Sequence, residues 1–185
     1  MRRLATAALA AVLLAAAPVR AAGPGYAGDA DGKSLVGWAI LGREGAAGVG
    51  ASFQAALLPR GLIHDPGFRL RDSLDLDVGV DYLSYWSRYD VGPYSYDLTE
   101  VNLHAGLIWN FWLAPGLAVY PKVGLGYSIA SYAYSAGWTP IYGRGNSGGL
   151  YADLAVGGQL RLSSALSLRG ELGWTGLKAG LAFAF

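Results

Sequence analysis

The sequence predicts an all-β fold, a single eight-stranded antiparallel up-and-down transmembrane β-barrel, and three observations predict it. Segments of about ten residues alternate apolar with small or polar side chains, the period of a strand with one greasy face. The second face is glycine and alanine with few charges, which suits a cramped interior better than the Lys-, Glu- and Thr-rich exterior of a soluble barrel. Aromatic residues gather toward the segment ends, as interfacial girdles do. Composition agrees: of 185 residues 53% are hydrophobic and only 15% charged, with 28 Gly, and mean hydropathy is +0.30. No central apolar run is long enough for a spanning helix. The absence of Cys excludes disulfide staples and thiolate metal sites. A formal charge of +1 offers no basic field for nucleic acid.

In chain order, residues 1–21 read as a secretory signal peptide. Arg2 and Arg3 precede an Ala/Leu run over 4–17, Pro18 breaks it, and Val19 and Ala21 place small residues where a signal peptidase cuts, after Ala21 or alternatively after Ala27. Cleavage after Ala21 leaves 11 Lys and Arg against 13 Asp and Glu, a net charge near −2. A flexible Gly/Asp-rich lead over 22–32 follows, and the barrel domain occupies 33–185. Its first strand runs through Val36, Trp38 and Ile40. The next runs are Val49, Ala51, Phe53, Ala55, Leu57; Leu74, Leu76, Val78, Val80, Tyr82; and Val101, Leu103, Ala105, Leu107, Trp109, Phe111. The last four carry Leu117, Val119, Val123, Leu125, Tyr127, Ile129; Leu150, Leu154, Val156, Leu160, Leu162; Leu166, Leu168, Leu172, Trp174; and Leu177, Leu181, Phe183, Phe185.

Two aromatic girdles are expected: Tyr82, Tyr85, Trp86, Tyr127, Tyr132 and Trp174 at one end, and Phe68, Trp109, Phe111, Trp112 and Phe185 at the other. Connections alternate between tight (113–116, 163–164) and long (86–96, 133–148), with 59–67 and 43–47 as exceptions. Short turns face the periplasm and long loops the outside.

Eight strands enclose little more than their own side chains. Parity turns Arg69, Arg71, Asp75, Asp77 and Asp81 of the third strand inward, with Glu100, Asn102, His104 and Asn110 of the fourth. Lys122 and Ser128, Asp153, Gln159 and Arg161, Arg169 and Glu171, and Lys178 follow on the remaining strands. Charges in a low-dielectric tube must pair, so a polar network filling the lumen is expected. Pairing the third and fourth strands about the centre of their loop sets Asp77 opposite His104 and Asp81 opposite Glu100. Gly79, Gly106, Gly124 and Gly126 then leave room beside His104 for a cavity or for Tyr120 and Tyr132. His64, beside Asp65 with no second His nearby, reads as a solvated turn, and no metal or cofactor site is expected.

A terminal Phe185 on an alternating last strand, after a signal peptide and about eight amphipathic strands, resembles the small outer-membrane β-barrels of Gram-negative bacteria, the broad opacity-protein-like class. The resemblance spans 33–185. It implies residence in the outer membrane, contact with its lipid, a monomer, and recognition of Leu181, Phe183 and Phe185 by the barrel-assembly machinery. The long adhesive loops of opacity proteins are not matched. The expected role is structural or interactive, not enzymatic, with an extracellular ligand or protein meeting the Tyr-rich loops. A porin-like narrow channel for ions or very small solutes is the alternative. A lipid-modifying hydrolase, with Asp77 orienting His104 and Ser128 as nucleophile, is weaker because the His-x-Ser unit of lipid A deacylases is absent. A soluble exported ligand-binding barrel comes last.

Overall fold

A computed structural model describes residues 32–63, 71–85, 94–136 and 141–185, with side chains for all but 94–97, 133–136 and 141–144. The expected signal peptide, most of the lead, His64, Phe68, Arg69 and Trp86 lie outside the described residues. The strands are β1 (Lys33–Gly42), β2 (Ala46–Leu58), β3 (Arg71–Tyr85), β4 (Tyr94–Ala114), β5 (Leu117–Ala136), β6 (Ile141–Arg161), β7 (Leu166–Gly173) and β8 (Gly176–Ala184). Each pairs antiparallel with its neighbours in sequence, and β1 pairs with β8, so the sheet closes in the order β1 to β8 without a crossover. Closure leaves the body of the sheet no free edge.

Parity sorts the faces. Val78, Val80, Leu103, Val123, Leu125, Leu154, Leu172 and Leu181 all stand exposed on the outside. Asp77, Asp81, Asn102, His104, Lys122, Asp153, Glu171 and Lys178, their near neighbours in sequence, are buried inside. A water-facing apolar band of this size is not a surface that soluble monomers carry; the arrangement is that of strands spanning lipid.

β1 departs from the expected pattern. Val36, Trp38 and Ile40 point into the barrel and form, with Ala46, Leu83 and Ala182, a buried apolar cluster. Leu41 is instead the exposed large apolar residue of that strand. Trp38 fits because Gly180 of β8 lies under its ring, and its indole donates to Ser52 Oγ at 3.1 Å. The interior is therefore apolar along β1, whereas its buried charged side chains come from β3 to β8. Two expected girdle residues also turn inward. Tyr85 donates its hydroxyl to Glu100, and Trp112, 6% exposed, lies with its indole nitrogen 3.4 Å from Ser73 Oγ. Both share the inward parity of their strands.

Strand length is uneven. β7 and β8 have 8 and 9 residues, whereas β4, β5 and β6 have 21, 20 and 21. At about 3.3 Å per residue the long strands run roughly 70 Å, well beyond the height that a tilted strand needs for an apolar band of about 25 Å. The segment 133–148, expected as a loop, is mostly ladder: β5 and β6 pair from Leu117↔Leu160 up to Ser135↔Tyr142. The last β6–β7 pair is Ala155↔Gly173. A three-stranded sheet of β4, β5 and β6 thus stands above one side of the barrel, on the end away from the tight Pro115-Gly116 turn.

Candidate functional site in the barrel interior

The register of β3 on β4 sets the interior geometry. Asp77 is opposite Gly106, Gly79 opposite His104, Asp81 opposite Asn102 and Leu83 opposite Glu100. Each pairing is two residues from the expected one, so neither the Asp77/His104 nor the Asp81/Glu100 opposition exists. Moving the centre of a hairpin connection by one residue shifts every pair by two and preserves the faces. The inward residues stay inward, but their partners change.

Glycine at position 79 makes the new arrangement possible. A Cβ there would lie 2.5 Å from His104 Nε2 and 2.7 Å from Ser52 Cβ. The imidazole occupies that space and reaches two carboxylates of β3, with Nε2 3.4 Å from Asp77 Oδ2 and Nδ1 3.7 Å from Asp81 Oδ2. Lys122 Nζ bridges Asp77 Oδ2 at 2.7 Å and Asp153 Oδ2 at 3.0 Å. Lys178 pairs with Asp81 from the other side, and Gln54 Nε2 donates to Asp77 Oδ1 at 2.9 Å. One connected network therefore ties β2, β3, β4, β5, β6 and β8 across the interior. Its members are almost entirely buried, with Asp77 and Asp81 each 1% exposed. Pairing is what makes so many buried charges tolerable.

Aromatic layers flank the network. Toward the short-turn end, Tyr120 packs its ring over Gly157 and donates to Glu171 Oε1 at 3.0 Å, with the Arg169 guanidinium 5.7 Å from the ring centre. Toward the loop end, Tyr85 and Ser128 donate to the two oxygens of Glu100, Ser128 at 2.6 Å. At the short-turn mouth Asn110 Nδ2 donates to Asp75 Oδ2 at 2.8 Å, and Arg161 is half-buried nearby. The interior thus gathers Asp77, Asp81, His104, Lys122, Asp153 and Lys178 in one cluster. Glu100 lies toward the loop end, and Glu171, Arg169, Asp75 and Arg161 lie toward the short-turn end. Arg71 is exposed at the strand end.

The Asp77–His104–Ser128 relay is not assembled, because the Ser128 hydroxyl is donated to Glu100. His104 is opposite Gly126 on β5 and Ser128 is opposite Asn102. Among the described residues no group of three His, Asp or Glu side chains is disposed to hold a metal.

Sequence reasoning missed Asp72. Its parity is outward, yet it is buried because its carboxylate accepts Leu62 N–H at 2.7 Å, Ile63 N–H at 3.2 Å and Trp109 Nε1–H at 2.7 Å. This clamp ties the β2–β3 connection to β4. An acidic residue at the first turn of a strand, with an outward indole on the next strand, was the available signal. Leu181, Phe183 and Phe185 line the outside of the last strand at 41%, 42% and 59% exposure.

No protein-family model and no curated protein matches the chain. Solved structures do. A major outer membrane protein from Thermus thermophilus aligns with a TM-score of 0.61 at 17% identity, over 83% of this chain and 98% of that one. Ail, the attachment invasion locus protein of Yersinia pestis, aligns at 0.49 and 11% identity over 83% and 98%. Neisserial surface protein A aligns at 0.40 and 13% over 83% and 94%. The likeness to the Thermus protein is one of fold: this chain has the architecture of a small outer-membrane β-barrel.

Proposed function

We propose that the mature chain is an outer-membrane barrel with a structural and surface-interaction role. Its lumen is sealed by the central charge network, and its projecting sheet is presented outside the cell. The uneven strand length carries this reading. β4, β5 and β6 rise far above the membrane band while the opposite wall ends at short turns, so the sequence has invested ordered backbone in a surface that anchoring alone does not require. Leu150, 80% exposed, lies on the rising part of β6. The upper edge of β6 has no β7 partner above Ala155, and an open edge of this kind can take up an extended segment of another protein. Export, the 33–185 boundary of the barrel, a monomeric state and recognition of Leu181, Phe183 and Phe185 by the assembly machinery belong to the same reading. So does a non-enzymatic role.

The test removes residues 133–144 and joins the shortened β5 and β6 with a two-residue turn. The shortened barrel is expected to remain in the outer membrane and keep its heat-modifiable gel mobility, while whole cells lose binding to the surfaces that the intact chain binds. Loss of assembly, or unchanged binding by the shortened barrel, would count against a dedicated surface role.

A further inference from the structure

At the short-turn mouth the barrel contains a cavity of about 60 Å³, several times the space that one water needs. Its charged lining is Lys33, Arg161 and Arg169 against Asp75 alone, an excess of two positive charges. Arg169 is 6% exposed, and its Nε and Nη1 have no acceptor among the described residues. Directly opposite it on β6 is Gln159, also 6% exposed, whose Oε1 likewise has no partner. Two facing buried side chains of the pocket lining therefore each carry polar atoms without a partner among the described residues. Ser34, Ser73 and Ser167 add hydroxyls to its wall.

From this geometry we infer that the short-turn mouth is a binding site for a small oxyanion, a phosphate or a carboxylate. Buried donor nitrogens without an acceptor are costly in an apolar environment, and charge-assisted hydrogen bonds to an oxyanion offset that cost. Gln159 completes the site in either orientation. In one its oxygen accepts from a protonated phosphate oxygen, and after a half-turn of the amide its nitrogen donates instead. Asp75 shares the wall, its Oδ2 accepting from Asn110 and its carboxylate lying in the field of Arg169, so the ligand supplements this carboxylate at the guanidinium. The lining comes from inward faces and the barrel mouth, which favours an anion arriving from the aqueous side over one carried in the plane of the lipid.

The experiment uses the full mature chain refolded in a phosphate-free detergent. Inorganic phosphate and, separately, acetate are titrated while the backbone amide signals of Ser73 and Ser167, present in every variant, are followed by NMR. Saturable shifts at millimolar concentrations are expected, and the better of the two ligands identifies the source as free phosphate or a carboxylate. Arg169→Gln is expected to weaken binding at least tenfold, and Gln159→Leu to weaken it severalfold. Arg43→Gln at the opposite mouth is the control and should bind as the parent does. If Arg169→Gln fails to fold, Gln159→Leu carries the test. Absence of saturation by either anion, or equal binding by the parent and the pocket variants, overturns the inference.

Discussion

Lys122→Met should be among the most damaging single substitutions in this protein. Lys122 is 4% exposed and its ammonium bridges two buried carboxylates, Asp77 at 2.7 Å and Asp153 at 3.0 Å. Methionine nearly preserves the volume, so the loss is electrostatic. Removing one partner of a buried ion pair typically costs about 3–5 kcal/mol, because an uncompensated charge is left behind. The two carboxylates do not suffer equally. Asp77 keeps Gln54 and the His104 ring, whereas Lys122 is the ion-pair partner that Asp153 has among the described residues. Asp153→Asn in the Lys122→Met background should therefore recover more stability than Asp77→Asn. At roughly 2–4 °C per kcal/mol for a domain of this size, the midpoint should fall by about 6–20 °C. The assay is the loss of the compact gel band across a heat or urea series in detergent. A destabilisation below about 1 kcal/mol, or no recovery on neutralising Asp153, would refute the view that the interior charges depend on one another.

Three further outcomes follow from the same geometry. Gly79→Val would force a side chain into the space held by His104 Nε2 and Ser52 Cβ and should cost at least about 1–3 kcal/mol, measured by the same gel series; a neutral effect would mean that the His104 packing is wrong. Asp72→Ala removes the acceptor of two backbone N–H groups and the Trp109 indole, at about 1–3 kcal/mol for the buried donors left unpaired. Limited proteolysis should then cut within residues 59–63 without collapse of the barrel, and resistance equal to the parent would contradict the clamp. Val123→Arg, on the exposed outer face at 59%, should lower stability in bilayers by about 2–4 kcal/mol if that position lies near the midplane. Urea titration of the folded fraction in vesicles reads this, and an unchanged midpoint would argue that the face meets water.

The architecture was legible because lipid and a narrow lumen impose opposite demands on alternate residues. From Val49 to Phe183 the alternation places nearly every side chain on its observed face. β1 misled because its larger residues, Val36, Trp38 and Ile40, fill the interior, Trp38 in the space that Gly180 leaves. Apolar character alone does not distinguish filling a lumen from facing lipid. The β3–β4 register was not legible, since it depends on where a connection turns, and parity cannot detect a shift of two. The tall β5–β6 hairpin was hidden for a related reason: glycine, serine and tyrosine in 133–148 show no alternation, although β5 and β6 pair as far as Ser135↔Tyr142. Within the site, inward parity could be read from sequence, but which inward residues join the central cluster and how they pair could not. His104 reaches Asp77 diagonally, across the gap that Gly79 leaves.

The central claim, that this barrel is turned inside out with respect to water, is tested most directly by spin labels. The chain has no cysteine, so single Cys substitutions along β5 at Val119, Val123, Leu125, Tyr127, Ser128 and Ala130 each give one label. In vesicles, collision with dissolved oxygen should be high at 119, 123, 125 and 127 and low at 128 and 130, while a water-soluble nickel relaxant should reach none of the outward positions. Outward labels that the nickel relaxant reaches as freely as oxygen does would contradict the account.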